Sequence, residues 1–332
     1  MERRRLGNSG IEVSRLCYGT LSFGKAQADL SPEQGGDLLL YAFSRGVNFL
    51  DTAEIYETYA HVRYALRHAP TPPVICTKTY AYDRAGACAS VEKARREMDI
   101  DVIDIFLLHE QETVLTLDGH RQAFEYLLEC KEKGIVRATG LSTHAVQPVR
   151  ALAEAVRGET GNLWSGMDAG GYRYADILHP LLNVAGIGLL DGTAVDMENA
   201  VTSAHEAGVG VFGMKMLGGG NLLSRFDEAA AYAVGLACAD SYAVGMQTQD
   251  EIDMNTALFE NRKVPEPLLE RTRSRRRRLM IEDWCTGCGA CVSRCGEKAM
   301  RLENGRAVYD PARCLLCGYC AYACRDFAIK VV

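Results

Sequence analysis

Short apolar runs alternate with longer amphipathic stretches along residues 1–260. The apolar runs have the length and the β-branched and aromatic content of buried strands. We read eight of them as strands: 16-LCYGT-20, 47-VNFLD-51, 74-VICTK-78, 104-DIFLLH-109, 136-VRATGLS-142, 163-LWSGM-167, 209-VGVFGMK-215 and 242-YAVGM-246. Eight strands that alternate with helices predict an α/β fold, a closed (β/α)8 or TIM barrel, over residues 1–264.

Helical periodicity separates most of these strands. In 31-SPEQGGDLLLYAFSRG-46, Ser31 is placed to cap the helix, Pro32 suits its first turn and Gly46 its exit. Four further helices are predicted at 90–98, 119–134, 145–158 and 197–208. Residues 168–195 give no clean helical pattern, so the chain after the sixth predicted strand is the least readable part of the barrel.

Charge is distributed unevenly along the chain. The net charge is −6, but residues 1–270 carry −13, whereas 271-RTRSRRRRLM-280 holds six arginines and no acid. No aromatic residue interleaves these arginines, and the acidic body beside them would repel phosphate, so a nucleic-acid partner is not expected. We read residues 265–280 as a basic linker, and the arginine stretch within it as a solvated linker or a helix end that lies against the acidic body.

The last fifty residues hold eight of the thirteen cysteines, in two copies of the spacing Cys-x2-Cys-x2-Cys-x3-Cys. The copies are 285-CTGCGACVSRC-295 and 314-CLLCGYCAYAC-324. Thiolates at this spacing bind 4Fe–4S clusters, and the doubling favours a pair of clusters over a zinc-bound or merely structural tail. Residues 281–332 are therefore predicted to form a ferredoxin-like domain with two 4Fe–4S clusters.

In two-cluster domains of this kind, the fourth cysteine of each copy binds the other cluster. One cluster is therefore expected on Cys285, Cys288, Cys291 and Cys324. The other is expected on Cys314, Cys317, Cys320 and Cys295. Proline usually follows the fourth cysteine, whereas Gly296 and Arg325 stand there in this chain.

The remaining sequence signals concern the compartment. No apolar run approaches eighteen residues, and the start, MERRRLGNSG, lacks the apolar stretch of a secretory signal, so no membrane contact is expected. The other five cysteines are scattered singly and are read as small core residues: Cys17, Cys76, Cys88, Cys130 and Cys238. Cluster thiolates need a reducing compartment, and we expect the protein to be cytoplasmic.

Polar residues follow three consecutive predicted strands at their C-terminal ends, where the chemistry of such barrels takes place. Asp51 ends the second strand and Tyr56 follows it, Lys78 ends the third strand, and His109 ends the fourth. A tyrosine hydroxyl titrates at about 10 in water, and an adjacent ammonium lowers that pKa. We expect Asp51 to keep Lys78 charged, His109 to orient a substrate oxygen, and Tyr56 to protonate a developing alkoxide.

These residues and their surroundings resemble the aldo-keto reductase family, in particular its iron–sulfur branch with a ferredoxin-like tail. The segments that carry the resemblance are 3-RRRLGNSGIEVSRLCYGT-20, 48-NFLDTAEIY-56, 104-DIFLLH-109, 134-GIVRATGLSTH-144, 213-GMKMLGGGNL-222 and 245-GMQTQDEIDMN-255. The resemblance implies an NADPH-dependent reductase of small carbonyl compounds, with NAD(H) as an alternative, in which Asp51, Tyr56, Lys78 and His109 form the catalytic tetrad.

The resemblance also implies a dinucleotide site. Gly19 and Thr20 would lie beside the nicotinamide, and Ser142, with Thr143 next to it, beside the carboxamide. The loop Lys215, Met216, Leu217 and Gly219 would hold the pyrophosphate. Gly245 opens the segment whose Gln247, Glu251 and Asn255 would reach the adenosine.

Four positions depart from the family pattern. Thr143 replaces an asparagine, Ala169 is read as the replacement for the glutamine of strand six, and Met214 stands for the aromatic residue that stacks on the nicotinamide. The cation that usually binds the 2′-phosphate is missing from 245-GMQTQDE-251. The departures leave the choice between NADP and NAD open.

Nicotinamide passes two electrons together as a hydride, whereas a cluster passes one at a time, and no flavin motif is visible. The clusters could relay electrons, could regulate or stabilise a conventional reductase, or could act through an unseen flavin. We favour a redox role, with an electron-transfer protein as an optional partner. The alternative is a non-catalytic redox-sensing or partner-binding protein with structural clusters. We also expect the tail to pack on the C-terminal face of the barrel, with Trp284 buried at the junction.

Overall fold

The computed structural model describes residues 1–24, 27–159, 163–164, 167–273, 277–316 and 318–332. The chain begins with an antiparallel hairpin, β1 (Arg3–Arg5) and β2 (Glu12–Ser14). Parallel strands follow: β3 (Leu16–Gly19), β4 (Phe49–Asp51), β5 (Val74–Thr79), β6 (Ile103–Leu108), β7 (Val136–Thr143), β8 (Ile177–Pro180), β9 (Gly210–Met214) and β10 (Ser241–Gly245). They pair in chain order and β10 closes on β3, which confirms the predicted eight-stranded barrel.

Helices cover the outside of the barrel. They are α1 (Pro32–Ser44), α2 (Tyr59–His68), α3 (Arg84–Met98), α4 (Val114–Gly119), α5 (Arg121–Glu132), α6 (Val146–Arg157), α7 (Ala194–Glu206), α8 (Phe226–Gly235) and α9 (Gln249–Phe259). The caps predicted for α1 are present: the Ser31 hydroxyl accepts from the Gln34 amide at 3.3 Å, Pro32 is the first helical residue, and Gly46 takes a φ of +89°.

The prediction for the sixth strand was wrong. Strand six of the barrel is β8, Ile177–Pro180, whereas Leu163 and Trp164 lie in a turn and residues 165–166 fall outside the described residues. Trp164 is buried in the layer between the strands and the helices, outside the barrel interior. Its Nε1 donates to the Ala151 carbonyl of α6 at 3.1 Å. An apolar run that packs on a helix has the same sequence pattern as a short buried strand.

Two apolar layers form the core of the barrel. The interior layer lies inside the strands and is closed at one end by the β1–β2 hairpin: Leu6, Ile11, Val13, Cys17, Phe49, Cys76, Ile105, Leu107, Ala138, Ile177 and Phe212. The larger layer lies between the strands and the helices. Of the scattered cysteines, Cys88 is half-buried and the other four are buried, as expected of small core residues.

The segment that joins barrel and tail contains helix α10 (Glu266–Arg273). Leu268 of α10 packs in a small cluster with Met254 and Ala257 of α9. The Arg271 guanidinium lies 2.8 Å from the Asp250 carboxylate of α9. This pair agrees with the expectation that the arginines lie on the acidic barrel; Arg275 and Arg276 fall outside the described residues.

The tail consists of short elements. Strand β11 (Leu279–Ile281) pairs with β14 (Ile329–Val331), and β12 (Met300–Glu303) pairs with β13 (Arg306–Tyr309), both antiparallel. Two helical turns, α11 (Ala290–Arg294) and α12 (Tyr319–Tyr322), each begin inside a cysteine motif. None of the helices in the described ranges is long and apolar enough to cross a membrane.

The tail packs on the C-terminal face of the barrel, which confirms that expectation. The Val331 amide of β14 donates to the Gly219 carbonyl, in the loop after β9, at 2.9 Å. Phe327 shares a buried cluster with Ile187 and Leu222 of the barrel loops. The expectation for Trp284 was wrong: its side chain is 54% exposed, and Nε1 donates to the Asp326 carbonyl within the tail.

Candidate active site and cysteine-lined cavities

The barrel brings the four predicted catalytic residues together. Asp51 is the last residue of β4, Lys78 the second-last of β5, and His109 follows β6 directly, so their side chains meet at one end of neighbouring strands. Tyr56 ends the helical turn Glu54–Tyr56 that follows β4. The Lys78 ammonium lies 2.6 Å from Asp51 Oδ1 and 5.0 Å from the centroid of the Tyr56 ring.

Lys78 and Asp51 form a buried ion pair. Lys78 is 1% exposed, and its ammonium also donates to the Thr52 carbonyl at 2.8 Å. Burial would raise the pKa of Asp51, but the Lys78 ammonium outweighs burial and holds that pKa at about 2. Burial would lower the pKa of Lys78, but the Asp51 carboxylate raises it well above its usual range. Both groups are therefore charged throughout the neutral pH range.

Tyr56 keeps its proton more firmly than the sequence led us to expect. Burial raises the pKa of Tyr56 to about 12, and the Lys78 charge offsets only part of that rise. Lys78 acts in the predicted direction, but burial of the phenol is the larger effect. Tyr56 is thus fully protonated at neutral pH, and the ammonium stands beside the position where a phenolate charge would form.

His109 is a neutral imidazole. Burial, together with Lys78, lowers the pKa of His109 to about 3. Its ring stacks on Tyr80 with centroids 4.4 Å apart and meets the Tyr56 ring edge-on at 5.7 Å. His109 Nδ1 is buried and has no hydrogen-bond partner among the described residues. A substrate oxygen beside Tyr56 would give that nitrogen a partner.

His179 joins this site, and the sequence reading missed it. It lies in β8, where Nδ1 donates to the Phe212 carbonyl at 2.6 Å and the ring stacks on Phe212 at 3.8 Å. Its Nε2 lies 3.7 Å from Asp51 Oδ2, on the side opposite the pair with Lys78. Burial lowers the pKa of His179, so the ring is neutral. Because Nδ1 carries the proton, Nε2 is unprotonated, and the ring supports the Asp51 carboxylate by packing against it.

The error followed from the misplaced strand six. Ala169, read as the residue at the end of that strand, lies outside the barrel strands. The signal that could have found His179 is a polar residue at the end of the short apolar run 177-ILHP-180.

A second polar group lies next to His109. The Tyr80 hydroxyl donates to the Glu110 carboxylate, and His144 Nε2 lies 3.5 Å from the other Glu110 oxygen. Burial would raise the pKa of Glu110, but His144 and other neighbours hold it at about 2. This group extends the site from β6 towards β7 and towards Lys215 after β9, whose charge also contributes to the low pKa of Glu110.

The residues predicted to hold the nicotinamide end lie at the ends of β3 and β7, but the chain itself occupies several of their polar groups. Thr20 Oγ1 donates to the Asp51 carbonyl at 3.1 Å. The Ser142 hydroxyl accepts from the Glu110 amide at 2.9 Å, and Thr143 Oγ1 donates to the Gln111 carbonyl at 2.6 Å. Gly19 and Gly245 end the neighbouring strands β3 and β10 and face each other in register.

The residues predicted to hold the adenosine form one connected group. The backbone amide of Gln247 donates to the Glu251 carboxylate at 2.7 Å, and Asn255 Nδ2 donates to the backbone carbonyl of Glu251 at 2.8 Å. Asn255 Oδ1 is buried without a hydrogen-bond partner among the described residues. The Gln247 side chain donates to the Ser22 carbonyl at 3.2 Å. The structure therefore brings this predicted end of the site together.

The predicted pyrophosphate loop is in contact with the tail. The Lys215 ammonium lies 5.2 Å from the centroid of the Phe327 ring, and the Met216 side chain is buried. Leu217 packs with the cluster that contains Phe327, and the Gly219 carbonyl accepts from the Val331 amide at 2.9 Å. The loop is therefore part of the junction between the barrel and the tail.

The cysteines of the tail line two cavities. One is lined by Cys285, Cys288, Cys291 and Cys324. The other is lined by Cys295, Cys314 and Cys320. Cys317 lies outside the described residues. Cys324 thus lies with the first three cysteines of the first copy, and Cys295 lies with Cys314 and Cys320 of the second copy, which is the crossed arrangement expected from the sequence.

Backbone amides point at three of these sulfurs. The amides of Ala307, Ala299 and Ala328 donate to Sγ of Cys285, Cys295 and Cys324 at 3.4, 3.3 and 3.3 Å, respectively. Such bonds stabilise thiolates and tune cluster potentials. In the described ranges no three His, Cys, Asp or Glu side chains converge as ligands of a single metal ion. Thiolates spread around a space fit a cluster, which brings its own iron and sulfide.

Comparisons with known proteins agree with both parts of the chain. The model of the "Aldo/keto reductase family" matches residues 15–260, and that of the "4Fe-4S dicluster domain" matches residues 279–325. Among curated relatives, "Probable aldo-keto reductase 1" of Glycine max is 28% identical over 45% of this chain and 49% of the relative. "L-galactose dehydrogenase" of Arabidopsis thaliana is 24% identical over 43% of this chain and 48% of the relative. The chain thus spans about half the length of the curated relatives it matches.

Solved structures show the same barrel. A putative aldo-keto reductase from Pseudomonas aeruginosa superposes with a TM-score of 0.61 at 20% identity, over 78% of this chain and 94% of its own. The holo form of an aldo-keto reductase from Bacillus halodurans gives a TM-score of 0.60 at 17% identity, over 82% and 95% of the two chains. At this identity the likeness concerns the fold.

Proposed function

Since the chain belongs to the aldo/keto reductase family and carries a 4Fe-4S dicluster domain, we propose that it is an oxidoreductase that reduces a small carbonyl compound. Tyr56 is the proposed proton donor. The observation that carries the proposal is the buried Lys78, whose ammonium lies between the Asp51 carboxylate and the Tyr56 ring. A pure binding module gains nothing from a buried charge of this kind, because desolvation of the ion pair is costly.

The proton transfer follows from the pKa values of the site. A carbonyl oxygen beside Tyr56 and His109 becomes an alkoxide when its carbon receives two electrons and a proton, either together as a hydride from a reduced dinucleotide or as single electrons from a donor protein with a proton from solvent. An alkoxide is a stronger base than a phenolate. Tyr56, with a pKa of about 12, holds its proton until that moment and then gives it to the oxygen. Lys78 stabilises the phenolate that remains, because its charge is already in position and needs no reorganisation.

The other residues of the site hold this pair in place. Asp51 keeps Lys78 charged, and His179 supports Asp51 from the opposite side. The neutral His109 offers its unpartnered Nδ1 to the substrate oxygen. We propose that His109 orients the carbonyl towards Tyr56 and does not supply the proton itself, because a pKa of about 3 makes the imidazolium scarce at neutral pH.

The cysteines fit the two proposed clusters. Residues Cys285, Cys288, Cys291 and Cys324 would hold one cluster. Residues Cys314, Cys317, Cys320 and Cys295 would hold the other. Bound clusters would supply single electrons. The position of the tail supports a redox role. Phe327, three residues after the proposed ligand Cys324, has its ring centroid 5.2 Å from the Lys215 ammonium of the barrel, so the tail meets the same face as the tetrad.

NADP(H), or NAD(H), is the electron source that the family implies, and for this chain it stays a prediction. The predicted adenosine end is assembled, but the tail covers the predicted pyrophosphate loop. The residues therefore do not fit a dinucleotide while the tail is docked, and no step of the proposed reaction depends on one. An electron-transfer protein that reduces the clusters is the proposed alternative partner.

The test is carbonyl reduction by anaerobically prepared protein. A panel of aldehydes, ketones and quinones is offered with NADPH, NADH or a reduced one-electron donor, and product is measured. Tyr56→Phe should abolish product formation, whereas Tyr64→Phe, the same change on helix α2, should not. Dinucleotide binding without turnover of any compound by any donor would instead support a redox sensor.

A further inference from the structure

The loop Lys215–Gly220 follows β9, and its last three residues are glycines with φ of +53°, +65° and +88°. Glycines in such a loop serve two purposes: they adopt positive φ, and they let a ligand approach the backbone closely. In this chain the tail takes the space that the glycines leave. A Cβ on Gly220 would lie 2.1 Å from the Val331 carbonyl oxygen, and one on Gly219 would lie 3.0 Å from the Phe327 ring.

The same tail segment reaches the opposite side of the groove. Arg278, which precedes β11, donates to the Gln27 carbonyl at 3.1 Å, and the Gln27 side chain accepts from Gln247 at 3.3 Å. Arg278 and Val332 also exchange backbone hydrogen bonds at 2.8 and 2.9 Å. Strand β10 lies between β9 and β3 in the barrel. The tail therefore bridges the end of β10, from the glycine loop to the loop after β3.

We name this bridge the tail strap: strands β11 and β14 with Arg278 and Phe327. The two ammonium groups of this region already have partners. The Lys330 ammonium is paired with Glu282 of the tail, and the Lys215 ammonium rests on the ring of Phe327. A pyrophosphate at this loop would lose its approach to the glycine backbone, because Val331 and Phe327 occupy that space.

We propose that the tail strap and the pyrophosphate of a dinucleotide exclude one another at the loop Lys215–Gly220, so that docking of the tail closes the barrel to NAD(P)H. This inference deepens the proposed reductase function and rests on it for the location of the dinucleotide site. The inference concerns dinucleotide binding alone, however. A binding measurement therefore tests it independently of whether the protein reduces any carbonyl compound. The adenosine end, Gln247 to Asn255, stays assembled beneath the strap, ready for a dinucleotide when the strap opens.

The experiment measures the Kd of NADPH and NADH by calorimetry on the anaerobic, iron-loaded full chain. A strap that leaves about a tenth of the molecules open raises the apparent Kd about tenfold, and opening it removes that factor. Phe327→Ala should therefore bind NADPH about tenfold more tightly than the parent. Val308→Ala, an apolar truncation on the β12–β13 hairpin, should bind like the parent. Iron counts for each variant show that the clusters are intact.

Arg278→Ala removes the hydrogen bond at the far end of the strap and leaves the core of the tail intact, so it serves as the test variant if Phe327→Ala does not fold. Like Phe327→Ala, it should lower the Kd of NADPH. NADPH should also speed hydrogen exchange at the Val331 amide of the parent, because binding releases that bond. Tighter binding by the parent than by both variants, or slower exchange at Val331 with NADPH, would show that the strap clamps the dinucleotide and would overturn the proposal.

Discussion

The barrel has a large hydrophobic core, whereas the tail has a small one that is built partly from cysteines. Apolar side chains from all eight barrel strands and from the covering helices are fully buried. Among the described residues, the tail core has eight that are buried, two of which are the proposed ligands Cys291 and Cys320. A segment of about fifty residues rarely folds on such a core alone and usually needs metal or disulfides. The two parts should therefore respond differently when the clusters are removed.

The largest expected effect is the loss of the tail without its clusters. Removal of iron from the full chain should abolish hydrogen-exchange protection in residues 281–332, because metal binding supplies much of the folding energy of such domains. Protection in strands β3 to β10 should stay. Exchange measured on iron-loaded and iron-stripped protein checks this. A tail that keeps its protection without iron would mean that its apolar core suffices.

Within the barrel, the largest effect should come from the buried cation. Lys78→Met should lower kcat by about 10²- to 10⁴-fold, the usual contribution of an assisted proton transfer, because the phenolate of Tyr56 loses its neighbouring charge. KM should change far less, since the loss falls on the transition state. Lys133→Met, on an exposed lysine of the barrel surface, is the matched control. Equal changes in kcat and KM would make Lys78 a binding residue.

Crossed ligation distinguishes the tail from two independent cysteine motifs. Cys324→Ala and Cys285→Ala should each lose about four of about eight irons, and the double variant should lose no more, because both residues hold one cluster. Cys324→Ala combined with Cys314→Ala should lose both clusters. Iron and acid-labile sulfide counts on anaerobic protein provide the measurement. The reverse pattern would assign each motif to its own cluster.

A smaller effect is expected at the support of Asp51. His179→Ala should lower kcat/KM about tenfold, or about 1.4 kcal/mol of transition-state stabilisation, because the carboxylate loses the ring that flanks it at 3.7 Å. His179→Gln should recover part of the loss, since an amide can still donate to the Phe212 carbonyl. Thermal unfolding of both variants shows whether the loss of activity comes from a less stable barrel. A loss of kcat/KM without a matching fall in Tm would assign the effect to the support of Asp51.

The smallest expected effect is a pH dependence confined to the barrel. A hydrogen bond to Asp240, at 3.0 Å, raises the pKa of His205 above its usual value. A raised pKa contributes stability that is present below about pH 6.5 and lost as pH rises through the folded-state pKa. The Tm difference between the parent and His205→Gln should therefore shrink from pH 6 to pH 8.5. The visible absorption of the clusters should not change over that range, and a difference that grows with pH would contradict the assignment.

The strands of the barrel could be predicted from the sequence wherever a short apolar run has clear ends and a polar residue follows it. Asp51, Lys78 and His109 each end such a run, so their meeting follows from parallel strands alone. Strand β8 could not be predicted in this way because it is only four residues long and ends at Pro180. The buried Trp164 lies in an earlier apolar run that has the same pattern as a strand. His179 was lost with it, although it touches Asp51.

In the tail, the site could be predicted from the sequence, whereas the packing against the barrel could not. Its cysteine spacing identifies the ligands and their crossing without reference to any other part of the chain. The contacts of Val331 with Gly219 and of Phe327 with Lys215 could not be predicted, because they join residues that are more than a hundred positions apart and carry no shared pattern. The net pKa of Tyr56 depends in the same way on burial, which charge spacing along a sequence does not reveal.

The most direct test of the central claim, that the clusters of the tail serve the tetrad of the barrel, is a single-turnover oxidation. The full chain is reduced anaerobically with dithionite, freed of excess reductant and mixed with members of the carbonyl panel while the visible absorption of the clusters is recorded. A reducible substrate should reoxidise the clusters of the parent and of Tyr64→Phe but not those of Tyr56→Phe. Clusters that stay reduced with every compound, or that reoxidise equally fast in Tyr56→Phe, would contradict it.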